Sequence, residues 1–185
     1  MSDQVVSALD ALMWRWSVNP GFTGIVLPDD YREWPSPCLV GHEGGWRPWR
    51  REMAGSMTNL ATALEMELHP ALSTFYCHWF SASLPCCFKG LYLALIQPWN
   101  EEDFARLQEN LIGHLLMQKK LRLPESLFLA STRSERHIIS LDNRSGAICY
   151  ELLGSKERTL LAPSLDSFLG RLELWPAGQK AEMRI

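Results

Sequence analysis

Several cysteines and histidines of this chain lie close together in sequence and are the residue types best suited to chemistry. Cys77 and His78 are adjacent, His69 precedes them, and Cys86 and Cys87 form a vicinal pair. Thiolate and imidazole are the ligands that zinc prefers. However, the spacing lacks the C-x-x-C or H-x-x-x-H step by which one turn presents two ligands, and cysteine is often buried as a small apolar residue. We therefore expect packed thiols, with no bound metal and no cofactor.

A Cys–His pair could also act as a nucleophile and its base. Cys38, which lies just after two prolines, and His114, within a predicted helix, are conceivable partners, but nothing in the sequence places them side by side. The strings G-x-G-x-x-G, G-x-x-x-x-G-K-[ST], H-E-x-x-H and G-x-S-x-G do not occur. We expect a protein that is not an enzyme, and we keep a small Cys/His enzyme as the lesser alternative.

Carboxylates are the third group to consider. Three of them fall in the first turn of one predicted helix, a fourth lies further along it, and two lie on the helix before it. Acidic residues in a first turn are also favoured by the helix dipole, by about 0.3–1 kcal/mol each, without any partner. These six carboxylates are Glu65, Glu67, Glu101, Glu102, Asp103 and Glu109.

The helix that carries four of these carboxylates is predicted over residues 101–119. Asn100 is a good N-cap, and Pro124 lies beyond a basic last turn. Apolar residues recur at the spacing of a single helical face, which should pack against a core. They are Phe104, Leu107, Leu111, Ile112, Leu115 and Leu116.

Helices and strands are intermixed along the rest of the chain. Further helices are predicted at residues 3–18, along the face that carries Met57, Leu60 and Leu64, from Pro70 onward, and after Ser164. Strands are predicted at 38–40, 88–97, 127–131, 137–141 and 147–152, the last two joined as a hairpin. This order argues for an α+β fold with a mixed or antiparallel sheet flanked by helices.

Composition sets limits on domains and partners. The chain has 185 residues, 46% of them hydrophobic, so we expect a single domain spanning residues 1–185. The net charge is −3, with 13 acidic and 7 basic residues in 1–110 against 8 and 11 in 111–185. This balance disfavours nucleic acid and hints at a basic partner. Trp46 and Trp49, interleaved with arginines, are predicted to lie in a surface loop.

The sequence contains no targeting or membrane-spanning pattern. No run approaches the roughly 18 apolar residues of a membrane span, and the first residues carry acids rather than a basic signal-peptide region. The first helix has too few basic residues for a membrane-surface anchor. Five cysteines, an odd number, are typical of reduced thiols. We expect residence in the cytoplasm.

One segment is more specific than any helix pattern requires. Residues 99–124 contain the string W-x-x-x-D-F-x-x-x-Q-E-N-L-I-G-H-L followed by Q-K-K-L-R-L-P. This run closely resembles the bacterial Syd family, the SecY-interacting proteins. The likeness extends over about 34–172, whereas residues 41–56 and those after 174 fit poorly. It includes Pro35, Ser36, Pro37, Cys38, Phe75, Tyr76, Asn143, Ser145, Gly146, Glu151, Leu153, Gly154, Arg158, Leu161, Ala162, Phe168 and Leu169.

The resemblance implies a fold and a function. Syd proteins are similar to members of the SUKH superfamily, whose mixed sheet flanked by helices serves protein–protein contacts. The family is associated with an electronegative concave surface that receives basic cytosolic loops of SecY, the channel subunit of the translocon. The resemblance thus makes the six carboxylates named above the candidates for partner binding. We thus expect a cytosolic adaptor that regulates or monitors SecY and is peripheral on the cytoplasmic side of the inner membrane, through SecY alone. Another SUKH-type binding role, such as neutralising a toxin, is the alternative.

Overall fold

A computed structural model describes residues 2–18, 27, 31, 33–39 and 45–175. Five α-helices lie in these ranges, together with a short 3₁₀-helix at Pro37–Leu39. They are α1 (Ser2–Val18), α2 (Thr58–Leu64), α3 (Pro70–Cys77), α4 (Glu101–Leu121) and α5 (Leu165–Leu169). The strands are β1 (Trp49–Arg50), β2 (Trp79–Phe80), β3 (Leu84–Phe88), β4 (Leu91–Leu95), β5 (Ser126–Thr132), β6 (His137–Asp142), β7 (Ile148–Leu152), β8 (Arg158–Ala162) and β9 (Glu173–Leu174).

Seven strands form one antiparallel sheet in the order β8-β7-β6-β5-β4-β3-β9. Strands β3 to β8 are neighbours in sequence as well as in space, and β9 returns to pair with β3. A separate two-stranded sheet joins β1 to β2. The predicted α+β class is confirmed, and the sheet is antiparallel throughout the described strands.

Helix α4 forms where the sequence predicts it. Asn100 is its N-cap, and the Asn100 side chain accepts a 2.8 Å hydrogen bond from the Asp103 backbone N–H. The helix ends at Leu121, two residues beyond the prediction, because Arg122 adopts a left-handed conformation with φ of 55°. Phe104, Leu107, Leu111 and Leu115 are buried on its core face, together with Gln118.

The strand predicted at residues 88–97 was wrong in its extent. Lys89 and Gly90 have positive φ, 49° and 83°, so the chain turns there and divides two strands of a hairpin. Leu91–Leu95 is the second strand, and the first, Leu84–Phe88, was missed because Pro85 and two cysteines obscure its pattern.

Two predictions near the tryptophan-rich stretch were also wrong. Cys38 lies in a 3₁₀-helix rather than in a strand, since proline fixes its own φ, whereas Val40 lies outside the described residues. Trp46 is only 3% exposed and packs edge-on against Trp99, although a surface loop was predicted. Trp49 is 41% exposed, as predicted, but it lies in strand β1 rather than in a loop.

Candidate functional site

A cavity of about 550 Å³ lies between helix α4 and the face of the sheet. The α4 wall is a single row of side chains spaced three or four residues apart: Asp103, Leu107, Asn110, His114 and Met117. The opposite wall includes Phe128 of β5 and Ile138 of β6, together with Ile96 and Gln97, which follow β4, and Leu153, which follows β7. The sheet therefore supplies a mostly apolar floor, and α4 supplies the polar groups.

The helical period gives α4 a second exposed row beside the cavity row. Glu102, Arg106, Glu109 and Leu116 lie on it, one residue before each cavity residue except His114, which Gly113 precedes. All four are exposed. The carboxylates Glu102 and Glu109 therefore flank the cavity side of α4, rather than pointing into the core.

The first turn of α4 holds three of the predicted binding carboxylates in different environments. Glu101 accepts a 2.6 Å charged hydrogen bond from Arg51, and its side chain is 70% exposed. Glu102 accepts from the Trp34 indole at 3.1 Å and from Arg106 at 3.4 Å. Glu101 and Glu102 already have cationic partners within the chain, so only part of their charge is available to another molecule.

Asp103 is the predicted carboxylate that lines the cavity. Its Oδ2 accepts a 2.8 Å hydrogen bond from the Trp99 backbone N–H. Burial raises the pKa of Asp103, while the Trp99 N–H and the Arg106 guanidinium oppose that shift and Glu102 adds to it. A half-buried carboxylate of this kind is poorly solvated, and a cation placed beside it would compensate for the lost hydration.

The other three predicted carboxylates lie away from this first turn. Glu109 is exposed two turns further along α4, and Glu65 ends α2 in a left-handed conformation with φ of 51°. Glu67 accepts a 2.9 Å hydrogen bond at its carbonyl from Asn143, whose own N–H donates to Glu125. Glu125 follows the C-terminal end of α4, so Glu67 lies near that end, whereas Glu101, Glu102 and Asp103 lie at the other end of a helix about 30 Å long. The six carboxylates therefore do not form one cluster.

The C-terminal half of the cavity rim is apolar. Met117 is 54% exposed, Leu116 is 52% exposed and Leu153 is 40% exposed. Exposed large apolar side chains grouped at a cavity are typical of binding sites rather than of ordinary surface. The rim therefore changes from acidic at the start of α4 to apolar toward its end.

Two side chains of the cavity wall carry buried polar atoms without a hydrogen-bond partner among the described residues. Gln97 is 4% exposed, and its Nε2 donates to the Phe75 carbonyl at 3.1 Å, which leaves Oε1 unpartnered. His114 Nε2 is likewise buried and unpartnered. Both residues adjoin Phe128, because Ile96 hydrogen-bonds to Leu129 in β5 and His114 packs edge-on against the Phe128 ring at 5.7 Å.

A buried ionic network supports the C-terminal half of α4. Glu151 is 1% exposed and accepts hydrogen bonds from Gln118, Ser126 and Ser140, at 3.2, 2.7 and 2.7 Å. Arg158 Nε lies 3.3 Å from Glu151, and its other nitrogens reach Asp142 and the Pro124 carbonyl. The network joins α4 to β5, β6, β7 and β8 and so fixes the helix over the sheet.

The cysteines and the remaining histidines have other surroundings. Burial raises the pKa of Cys38 to about 11, against the opposing hydrogen bonds of Ser36 and the backbone, and the pKa of Cys86 to about 12. His69 caps α3 by accepting from the Ala71 N–H, and His78 Nδ1 lies 2.9 Å from the Thr74 carbonyl. Within the described ranges, no three His, Cys, Asp or Glu side chains are grouped as metal ligands.

Sequence reasoning identified Asp103 and, as the possible base for a Cys38 nucleophile, His114, but it missed the rest of the cavity. Gln97, Phe128, Ile138 and Leu153 come together only through the pairing of β4, β5, β6 and β7. Gln97 offered one signal, since a polar residue at the end of an apolar run needs hydrogen-bond partners when it is buried.

Comparison with known proteins adds the family. The family described as Syd protein (SUKH-2) matches residues 6–174. Protein Syd of Aeromonas salmonicida is 48% identical over 181 residues, covering 95% of this chain and 100% of the relative. Protein Syd of Tolumonas auensis is 44% identical over 98% of this chain and 94% of its own length.

A more distant relative agrees with these matches. Protein Syd of Escherichia coli O157:H7 is 39% identical over 142 residues, which is 75% of this chain and 78% of the relative. The family match extends from α1 to β9 and includes the whole cavity-forming region, α4 and the sheet. The chain therefore belongs to the Syd family.

Proposed function

We propose that this protein is an adaptor that binds basic cytoplasmic loops of SecY and regulates or monitors the translocon, without catalysis of its own. Membership of the Syd family supports the choice of partner, through the resemblance to SecY-interacting proteins. The observation that carries the proposal is the acidic start of α4, where Glu102 and Asp103 adjoin one end of the cavity.

Charge complementarity is the proposed means of recognition. Cytoplasmic loops of membrane proteins are enriched in lysine and arginine, so an acidic surface on a cytosolic protein meets them with opposite charge. The apolar rim formed by Leu116, Met117 and Leu153 would contact the aliphatic parts of the same loop. The six predicted carboxylates act at different strengths under this proposal, because Glu101 and Glu102 are shared with arginines of the chain.

Membrane association follows from the partner under this proposal. None of the described helices is both long and apolar enough to cross a bilayer. We propose residence in the cytoplasm and peripheral attachment to the cytoplasmic side of the inner membrane through SecY. Vesicles that contain SecY should therefore retain the protein, and protein-free vesicles of the same lipids should not.

The test is binding of purified full-length protein to detergent-solubilised SecY. The double substitution Glu102→Lys and Glu109→Lys places two cations on the exposed row beside the cavity. We expect at least tenfold weaker binding, because like charges at an interface cost several kcal/mol. Binding of the unmodified protein should also weaken as salt rises from about 0.05 to about 0.5 M, since salt shortens the Debye length.

Asp3→Lys with Glu173→Lys is the matched control. Both residues are exposed, Asp3 is also in a first helical turn, and the change in net charge is the same. Equal loss of binding in the two variants would show a general charge effect and refute the assigned surface. Failure of the unmodified protein to bind SecY would refute the proposed function.

A further inference from the structure

Arg106 is the one lysine or arginine between residues 101 and 118 of the chain. It lies on the exposed row of α4, four residues after Glu102 and three residues before Glu109. The proposed function assigns this stretch of α4 to a basic partner. A cation of the protein itself therefore occupies the surface that cations of the partner would approach.

The Arg106 side chain forms a closed unit with Trp34 and Glu102. Its Cζ lies 4.8 Å from the centre of the Trp34 ring, and its Nη2 lies 3.4 Å from Glu102 Oε1. The other oxygen of Glu102 accepts a 3.1 Å hydrogen bond from the Trp34 indole N–H. In the free protein, both carboxylate oxygens of Glu102 thus have donors within the chain.

The charge of Arg106 also acts on the cavity. Burial raises the pKa of Asp103, and the Trp99 N–H and the Arg106 guanidinium oppose that shift. Burial and Asp103 raise the pKa of Tyr31, and Arg106 again opposes the shift. Asp103 and Tyr31 both line the cavity. Arg106 therefore offsets part of the negative charge of Asp103 as well as that of Glu102.

Arg106 is held less firmly than Arg51, which pairs with the neighbouring carboxylate. The Arg51 side chain is 7% exposed and packs on the rings of Phe80 and Phe104. It donates to Glu101 at 2.6 Å. The Arg106 side chain is 58% exposed, and its 3.4 Å contact is longer than the roughly 2.7–2.9 Å of a strong charged hydrogen bond. Exposed pairs contribute little to stability, so Arg106 can leave its carboxylate without loss of the fold, whereas packing fixes Arg51.

We propose that Arg106 is a displaceable internal counter-ion, which pairs with Glu102 in the free protein and which a basic partner has to expel to reach Glu102 and Asp103. This inference rests on the proposed function, which supplies the partner. Arg106 opposes binding in two ways, because it occupies an acceptor carboxylate and because it repels incoming cations. A segment therefore binds only when its own cations gain more at these carboxylates than Arg106 loses.

The direct test measures binding of the purified full-length protein to detergent-solubilised SecY with and without the substitution Arg106→Gln. Glutamine is a good helix former and removes only the cation. We expect at least about threefold tighter binding at about 0.05 M salt, and this gain should shrink toward about 0.5 M as salt screens exposed charges. Unchanged or weaker binding would overturn the proposal, because Arg106 would then contribute to the surface rather than compete for it.

The stability of the variant is the second readout. The thermal midpoint should change by no more than about 4 °C, since an exposed ion pair and an exposed cation–π contact are both weak. A larger fall would show that Arg106 cannot leave its place without loss of the fold, and the proposed displacement would be refuted.

Arg171→Gln is the matched control. Arg171 is also exposed, and its Nη2 donates to the Ser167 hydroxyl four residues earlier at 2.9 Å. It follows α5, which packs on α1 and β8, and the change in net charge is the same. If Arg171→Gln strengthened SecY binding as much as Arg106→Gln, the gain would be a general charge effect and Arg106 would have no special role.

A second pair of variants asks whether the effect passes through Glu102. Arg106→Gln should bring a smaller gain in a Glu102→Gln background, where there is no carboxylate for Arg106 to occupy. Equal gains in the two backgrounds would contradict the assigned contact between Arg106 and Glu102.

The outcomes separate this inference from the proposed function. If SecY binds the unmodified protein but Arg106→Gln brings no gain, the counter-ion role is refuted and the adaptor function stands. If SecY binds neither protein, the adaptor function is refuted, and acetylated tetra-lysine amide becomes the probe of the surface. Tighter binding of that peptide to the Arg106→Gln variant than to the unmodified protein would then support the counter-ion role, and equal binding would refute it.

Discussion

Glu151 is the buried carboxylate on which the position of α4 over the sheet depends, and its removal should cost a large share of the stability. The substitution Glu151→Gln keeps the shape but removes the charge that faces Arg158 Nε at 3.3 Å. It also places an amide among Ser126, Ser140 and Gln118, which now donate to an anion. Breaking a buried ion pair by removing one partner costs about 3–5 kcal/mol.

The measurement is urea unfolding at pH 7, with a thermal midpoint as the second readout. For a chain of this length, 3–5 kcal/mol corresponds to a midpoint lower by roughly 6–20 °C. Arg158→Met should be similarly destabilising. Glu151→Leu combined with Arg158→Met should cost less than the sum of the single variants, because neither Glu151 nor Arg158 then remains buried without the other. Asp142 loses its ion pair with Arg158 in both the single and the double variant.

An exposed pair of the same kind gives the control. Glu102 and Arg106 are 3.4 Å apart at i and i+4, with side chains 69% and 58% exposed. Their coupling should be about 0.2–0.5 kcal/mol. If the coupling between Glu151 and Arg158 were no larger than that of the exposed pair, the network would not hold α4 as described.

Three further predictions concern other parts of the fold. Burial raises the pKa of Asp142, but hydrogen bonds from Ser145 and the charge of Arg158 outweigh burial and leave the pKa below its ordinary 3.8. Asp142→Asn should therefore lower the free energy of unfolding at neutral pH. In urea unfolding, the difference between this variant and the parent should shrink as the pH falls through and below 3.8. Gly146→Ala would place a Cβ 2.5 Å from the His69 ring, at a residue whose φ is 73°. The free energy of unfolding in urea should fall by about 1–3 kcal/mol. Gly154→Ala should cost less, because Gly154 has the same φ but open space around it. At pH 8, iodoacetamide should label three thiols only after unfolding, as counted by mass spectrometry, because burial raises their pKa values to about 11, 11 and 12: Cys38, Cys77 and Cys86.

Local signals made the helices and the later strands predictable from sequence. Asn100 as a cap and the apolar row from Phe104 to Leu115 act within one helix, so they identify α4 without tertiary information. The hairpin that joins β6 and β7 follows from an Asn and a Gly between two short apolar runs. In contrast, the turn at Lys89 and Gly90 requires positive φ at a lysine, which residue type alone does not reveal.

The candidate site was only partly predictable, because most of it depends on strand register. Asp103 was identified by its type and its place in a first turn, but its lining of a cavity depends on how α4 packs over the sheet. The proximity of Gln97 to Phe128 follows from the pairing of β4 with β5, between residues more than thirty positions apart. The prediction that Trp46 lies on the surface was wrong for a related reason. The burial of a loop tryptophan is decided by residues distant in sequence, such as Trp99.

The position of α1 has a consequence for synthesis on the ribosome. Its apolar face packs on α3 and α5, and Arg15 donates to the Leu172 carbonyl, a contact 157 residues away in the chain. At about 5–20 residues per second, α5 and Leu172 emerge on the order of 10–30 s after α1. The apolar side chains of the first helix can therefore pack on α3 early, but they lack α5 until nearly all of the protein is translated. They are Val5, Leu9, Leu12, Met13 and Trp16.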